Sequence, residues 1–321
     1  MVAMNMRGAL VLLVALSVTG ITGAFAVAAP AQKAASSTTG PSYPSAEAAV
    51  TALVDALRND QLGALQTVLG PGSEKLLRSG DKYADAAERQ KFLAAYDERH
   101  EMVTAAPDHV ILQVGKDNWP LPIPLVQADG RWHFDSAAGA QELVNRRIGR
   151  NEIAAIRSAL AYVDAQKAFF AFTGQSGEAE YAQRLVSSPG KYDGLYWPTA
   201  EGQPESPLEP LMAQAKDEGY PGERIAGKPL PYQGYFFRIL TGQGVSTSDG
   251  ARNYISNSRM TKGFALVAWP ASYGTSGIMS FIVNQEGGVF QKDLGPHTAA
   301  TASAMKLFDP DLTWARVDLV Q

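Results

Sequence analysis

Helices followed by antiparallel strands are predicted twice along this chain, and this order constrains its fold most strongly. In the first half, apolar residues recur at helical spacing before three strand signals appear. An Asp-Gly pair at 129–130 favours a tight turn between the last two strands. Such an order is typical of an α+β fold. The predicted helices lie near 45–57, 62–69 and 85–100, and the predicted strands at 110–114, 123–127 and 131–135.

A single apolar stripe opens the second half. Ile153, Ile156, Leu160 and Val163 recur at intervals of three and four residues, which places them on one face of a long helix. Because no second long helix follows, we expect this face to pack against a sheet. Gly149 is expected to kink or break the helix near its start. The predicted strands are 234–240, 264–269, 278–283 and 289–292, and a short helix is predicted at 298–307.

Proline and glycine interrupt the region between this helix and its sheet, residues 187–231. So long an irregular stretch generally lies along a surface or carries function. A length of 321 residues fits two domains of about 150 residues each. We therefore predict an α+β fold with two domains, at 45–140 and 141–321.

The N-terminus has the features of a secretory signal. Arg7 precedes an apolar run at 9–18, and Ala-x-Ala triplets follow at 24–28. The run is shorter than the roughly 20 apolar residues that span a membrane. We expect a signal peptide at 1–28, a flexible linker at 29–44, and export to the periplasm or the extracellular space without a stable membrane span. The alternative is an uncleaved N-terminal anchor.

Composition excludes several kinds of chemistry. The chain has no cysteine and four histidines, so disulfides, thiolate catalysis and cysteine metal sites are excluded and a histidine-rich metal site is not expected. A formal net charge of −4 gives no electrostatic reason to bind nucleic acid. The sequence contains no motif specific enough to indicate a catalytic site. We therefore name no catalytic residue, metal or cofactor, and favour a non-enzymatic protein whose partner is an envelope protein or glycan.

Three tryptophans are candidate binding residues. Trp119, Trp197 and Trp269 each stand before a proline at a predicted loop edge. An indole offers a flat apolar surface and one hydrogen-bond donor, which suits a sugar or a protein partner. The competing interpretation is that each indole closes the edge of a domain.

Three arginines form a candidate anion site. Arg146, Arg147 and Arg150 lie close together in the sequence near the predicted domain boundary. The competing interpretation is that they pair with carboxylates such as those of Glu142 and Glu152.

Several sequence blocks carry a family resemblance. The blocks SSPGKYDGLYWP, GYFFRIL and GFALVAWPASYGTSGIMSFIVNQEG closely resemble those of exported bacterial proteins grouped as domain-of-unknown-function family 2950. This resemblance covers residues 46–312 and implies no activity. Residues 46–135 also resemble a nuclear-transport-factor-like (cystatin-like) cone, in which helices cover a curved antiparallel sheet. Residues 151–294 resemble the globular part of type IV pilins and pseudopilins, in which a long helix precedes a variable loop and a sheet.

A pilin polymerises through an apolar helix at its N-terminus, and a separate folded region stands in that place here. The pilin resemblance therefore implies a fold and not filament assembly. We predict an envelope interaction or binding module. The alternatives are an envelope-polymer hydrolase that uses Asp and Glu residues, and a protein that binds a small molecule in the cone of the first domain, with Trp119 near its mouth.

Three structural features would distinguish these functions. A hydrolase should gather carboxylates in one cleft, at least one of them removed from water. A small-molecule binder should have an enclosed apolar pocket of roughly 300 Å³ or more. An interaction module should instead expose an apolar patch on the order of several hundred Å².

Overall fold

The computed structural model describes residues 40–221 and 229–318. The predicted signal peptide at 1–28, and the linker at 29–44 as far as residue 39, lie outside the described residues. Helices and antiparallel sheets together form the structure, so the predicted α+β class is confirmed.

The first region places helices over an antiparallel sheet. Ser45 begins the first helix, because its hydroxyl accepts a hydrogen bond from the amide of Ala48. The helices are α1 (Ala46–Arg58), α2 (Leu62–Leu69), α3 (Glu74–Leu77) and α4 (Lys82–Glu98), and the strands are β1 (His100–Ala106), β2 (His109–Val114), β3 (Trp119–Pro120), β4 (Leu125–Ala128) and β5 (Arg131–Phe134). The order across the sheet is β1-β2-β4-β5, and β3 also pairs with β2.

Strand β1 was not predicted, because the sequence analysis extended the preceding helix to residue 100. The helix ends at Glu98 instead, and β1 pairs with β2. Both faces of β1 are half-buried or exposed, so its sequence lacks the polar–apolar alternation by which a strand is recognised.

One helix, α5 (Ser136–Gly174), runs without interruption from the first region into the second. Asp135 begins it by accepting a hydrogen bond from the amide of Ala138. The expectation of a break at Gly149 was wrong, since this glycine lies within the helix at an exposed position. The predicted boundary between 45–140 and 141–321 falls inside α5, and the independence of the two domains stays a prediction.

The second region places α5 against a larger antiparallel sheet. The elements after α5 are α6 (Glu209–Asp217), β6 (Tyr235–Leu240), β7 (Gly242–Gln243), β8 (Arg252–Asn253), β9 (Ile255–Ser256), β10 (Arg259–Met260), β11 (Ala265–Pro270), β12 (Met279–Asn284), β13 (Val289–Asp293), α7 (Thr298–Ala304), β14 (Leu307–Phe308) and β15 (Ala315–Arg316). The order across the sheet is β15-β13-β12-β11-β6. Helix α6 lies in the stretch predicted to be irregular.

The face of α5 that packs on this sheet differs from the predicted stripe. The hydrophobic core of the second region, which we call the second core, buries Ala155, Ala159, Tyr162 and Phe169 of α5, whereas Ile153 is 52% exposed. The alanines let the helix approach the sheet closely, and the Tyr162 hydroxyl donates a hydrogen bond to the carbonyl of Ala265 on β11. The prediction for Ile153 was therefore wrong. Of the same stripe, Val163 is buried, and Ile156 and Leu160 are half-buried against this core.

Candidate functional site

An apolar pocket of about 170 Å³, partly open to solvent, lies against α4 in the first region. We call it the leucine cavity. Leucines of α1, α2 and α3 form much of its wall, Phe92 of α4 and Leu143 of α5 contribute to it, and Trp119 stands at its edge. The other lining residues are Leu53, Leu57, Leu65, Leu69, Leu76, Leu77, Asp85, Glu88, Arg89, Leu121, Ile123, Arg147 and Arg150.

A second space, of about 120 Å³, lies between α4, α5 and the segments around residues 218–220 and 233. We call it the junction cleft. Four charged residues line both the junction cleft and the leucine cavity: Asp85, Glu88, Arg147 and Arg150. The two spaces are therefore neighbours separated by charged side chains. The remaining lining residues of the cleft are Ser79, Ala84, Ala87, Lys91, Asn151, Glu218, Tyr220 and Gln233.

Each of the three candidate arginines has a partner of its own. Arg146 pairs with Glu142 at 2.8 Å, and its guanidinium lies over the ring of Trp119 at 5.3 Å from the centroid. Arg150 pairs with Glu88 of α4 at 2.7 Å. Arg147 is buried and donates hydrogen bonds to the carbonyls of Lys75 and Leu76 at the end of α3.

These partners give the arginines structural roles. Arg147 satisfies carbonyls that the short helix α3 leaves without partners of their own, and burial lowers the pKa of its guanidinium. Glu152, named in the sequence analysis as a possible partner, instead accepts hydrogen bonds from the amides of Ile278 and Met279 at the start of β12. Arg146 with Glu142 is the pairing that the sequence analysis named.

The structure separates the three candidate tryptophans. Trp119 is 37% exposed at the edge of the leucine cavity. Trp197 is buried in the second core, where its indole N–H donates to the carbonyl of Pro204 at 2.9 Å. Trp269 is buried on β11 against Phe236. Trp119 is therefore the one of these three whose ring is accessible, and it lies beside Arg146.

Two aspartates at the start of α4 shape the junction cleft. Asp81 is fully buried and caps α4 by accepting hydrogen bonds from the amides of Tyr83 and Ala84. Its other oxygen accepts from the hydroxyl of Tyr220 at 2.7 Å and the amide of Gly234 at 2.9 Å. This carboxylate therefore joins the first region to the second.

Asp85 lies one turn further along α4. One of its oxygens accepts a hydrogen bond from the amide of Ser79 at 3.0 Å. Burial raises the pKa of Asp85, although its hydrogen bonds to Ser79 and the nearby charge of Arg147 oppose the shift. A partly desolvated carboxylate therefore lines both spaces.

The Pro/Gly-rich stretch supplies the opposite wall of the cleft. Glu218 accepts hydrogen bonds from the side-chain amides of Gln214 and Gln233. Tyr220 is buried, and burial is the main reason that its pKa is raised. The sequence analysis missed Asp81, Asp85, Glu218 and Tyr220 as site residues. Its only relevant signal was the prediction that the stretch 187–231 lies at a surface or carries function.

A family model described as "Protein of unknown function (DUF2950)" matches residues 41–317. The chain belongs to this family. No significant match was found among curated proteins or among solved structures. Every residue that lines the two spaces of this DUF2950 protein lies within the matched span.

The described part of this DUF2950 chain brings together no group of three or more histidine or carboxylate side chains suited to a metal ion. Within the same residues, no helix has both the length and the apolar character needed to cross a membrane. The chemistry that the site does offer is an apolar wall on one side and a mixture of carboxylates, cations and amides on the other.

Proposed function

We propose that this protein is an exported, non-enzymatic binding protein of the cell envelope, and that the leucine cavity receives the apolar part of a small molecule. The observation that carries the proposal is an apolar cavity of about 170 Å³ in the first region, with the accessible ring of Trp119 at its edge. Small-molecule sites are typically apolar spaces with a few polar groups that orient the ligand.

The size of the cavity limits the ligand. Its volume of about 170 Å³ is below the roughly 300 Å³ typical of sites for drug-sized molecules. An apolar cavity of about 150 Å³ accommodates a molecule the size of benzene. The ligand part that enters is therefore a single ring or a chain of about six carbon atoms.

The packing of α4 supports access to the cavity. No residue of α4 is buried, although Phe92 lies over the cavity. A helix whose side chains are only partly buried is held less firmly than a fully packed one, so it can move away at a lower cost in free energy.

Titration with hexan-1-ol tests this proposal. We expect saturable binding, measured by calorimetry and by a rise in the melting temperature. Replacing Leu143→Trp should fill the cavity and abolish binding, whereas Leu312→Trp should leave it unchanged, because Leu312 is fully exposed. Absence of saturable binding to the wild-type protein, or equal binding by the Leu143→Trp variant, would contradict the proposal.

Export and the finer fold relationships belong to the same proposal. We infer a cystatin-like first region, supported by helices that cover an antiparallel sheet, and a pilin-like second region, supported by the long α5 before a loop and a sheet. The Ala-x-Ala triplets support cleavage such that the mature chain begins between Val27 and Gln32. N-terminal sequencing of exported protein tests this, and an intact Met1 in the membrane fraction would contradict it.

A hydrolase is the second candidate function, favoured by one observation. Asp85, Glu88 and Glu218 line the same cleft, and burial raises the pKa of Asp85, as a general acid requires. Against this, Glu88 is paired with Arg150 and Glu218 is held by two glutamine amides. Release of reducing ends from cell-wall glycan by the wild-type protein but not by Asp85→Asn would favour hydrolysis over binding.

A further inference from the structure

The carboxylates around the junction cleft are held by neutral donors. Asp81 accepts from a tyrosine hydroxyl and backbone amides, Asp85 from the amide of Ser79, and Glu218 from glutamine side chains. Among the described residues, none of these three carboxylates lies within ion-pair distance of a cation. Of the three, Asp85 and Glu218 line the cleft, and their hydrogen bonds come from neutral donors, although the nearby charge of Arg147 also acts on Asp85.

The cations that line the cleft are already engaged. Arg150 pairs with Glu88 at 2.7 Å, and Lys91 lies 3.6 Å from the same carboxylate. Arg147 donates to the two carbonyls at the end of α3. An anionic ligand would have to compete for these groups, whereas a cationic ligand would find carboxylates without a cation partner.

Asp85 is the carboxylate best placed to meet such a ligand, because it lines the junction cleft and the leucine cavity at once. Among the described residues, its hydrogen-bonding partner is Ser79, through the backbone amide at 3.0 Å and through the side chain. Asn151 lines the same cleft, and its side-chain N–H donates to the carbonyl of Ser276, which leaves its amide oxygen as a second acceptor.

We propose that the junction cleft binds the ammonium group of a protonated amine against Asp85, while the carbon chain of that amine enters the leucine cavity. This inference rests on the proposed function, since the cavity must accept an apolar chain. A primary ammonium group has three donors, which suits a cleft rich in acceptors. Burial already disfavours the charge on Asp85, and a bound cation would offset that cost.

Three probes of equal chain length separate the head group from the chain. We expect calorimetry on the whole protein to show hexylamine binding at least about tenfold more tightly than hexan-1-ol, equivalent to about 1.4 kcal/mol, and hexanoate binding more weakly than either. The Asp85→Asn variant should lose the preference for the amine and still bind hexan-1-ol. The matched control is Asp97→Asn, which changes an exposed aspartate on the same helix and should keep the preference.

The outcomes distinguish this inference from the proposed function. If hexan-1-ol binds and hexylamine binds no more tightly, or if Asp85→Asn keeps the preference, the ammonium site is overturned and the cavity stands. Tighter binding of hexanoate than of hexylamine has the same meaning. If hexylamine alone binds, and Asp85→Asn abolishes that binding, the ammonium site is supported and the cavity is not a sufficient site. If none of the probes binds, both proposals fail.

Discussion

The two regions of this molecule are packed differently around their hydrophobic cores. In the second region every residue of β11 is buried, and large aromatic side chains such as Tyr235, Phe264 and Phe281 are almost completely excluded from water. In the first region, Leu53, Leu65 and Leu69 are buried but also border a cavity. The first core therefore borders empty space, and it is in this space that we propose that a ligand binds.

Helices α4 and α5 differ in how they are held to the rest of the protein. Its side chains form ion pairs such as Asp97 with Arg58 and Glu98 with Lys116, which are largely exposed. Exposed ion pairs contribute little to stability, because water and salt screen the attraction between their charges. By comparison, α5 buries Tyr162 and Phe169 in the second core. We therefore expect α4 to open before α5 separates from its sheet.

Truncation of one phenylalanine in each core tests this contrast most strongly. Phe281→Ala on β12 should lower the free energy of unfolding by about 3–5 kcal/mol, because its side chain is fully buried. Phe92→Ala on α4 should cost less than about 2 kcal/mol, below the range for a fully buried phenylalanine, because Phe92 is half-buried beside an existing cavity. Denaturant unfolding measures both values. Equal costs would show that the first core is packed as tightly as the second.

Two glycines of α5 test how closely this helix is packed along its length. A Cβ atom at Gly139 would overlap the carbonyl of Pro122, whereas a Cβ at Gly149 would meet no atom within 4 Å. We expect Gly139→Ala to destabilise by about 1–3 kcal/mol through overpacking. Gly149→Ala should stabilise by about 0.5–1 kcal/mol, because alanine favours the helix. Stabilisation by both variants in denaturant unfolding would show that the start of α5 is not held against residue 122.

The two sides of the predicted stripe on α5 provide a smaller test. Leu160 is half-buried against the second core, and Ile153 is 52% exposed. Leu160→Ala should cost about 1–2 kcal/mol, below the range of fully buried leucines, and Ile153→Ala should stay within about 0.5 kcal/mol of wild type. Chemical unfolding of both variants decides. A larger loss of unfolding free energy for Ile153→Ala than for Leu160→Ala would show that Ile153 packs on the sheet, as the sequence predicted.

Elements with strong periodicity could be predicted from the sequence, and those without it could not. The strand predicted at 234–240 corresponds to β6, because its aromatic and β-branched residues favour a pleated, buried surface. The core face of α5 was predicted only in part, because the stripe was assigned from its aliphatic residues and did not include Ala155 and Tyr162. The close approach of the helix to the sheet requires small residues there, and the hydroxyl of Tyr162 finds its acceptor only in the folded protein.

The candidate site could be predicted only in part, for a topological reason. Trp119, which stands before a proline, and the three arginines of α5 could be recognised from the local sequence. Asp81 and Tyr220, in contrast, are 139 residues apart in the sequence and meet through a hydrogen bond between their side chains. No local pattern marks such a pair, and the same holds for Asp85 and Glu218, which the fold brings to one cleft.

The smallest expected effect concerns the charge of Asp85 and its dependence on pH. Because burial raises the pKa of Asp85 in the folded protein, its ionised form opposes folding once the pH is above the folded pKa. Asp85→Asn should therefore raise the melting temperature at pH 7, and the gain should shrink as the pH falls through the folded pKa.

The opposite sign is expected at exposed Asp311, because hydrogen bonds from Thr313 lower its pKa. Asp311→Asn should therefore lower the melting temperature at pH 7, and this effect should disappear in acid. Melting curves of both variants between about pH 2.5 and pH 7, an interval that includes the pKa of about 3.9 of a free aspartate, measure the two slopes. Slopes of the same sign would show that Asp85 is not desolvated, and the charge that we propose as the counter-ion of an amine would then be an ordinary surface carboxylate.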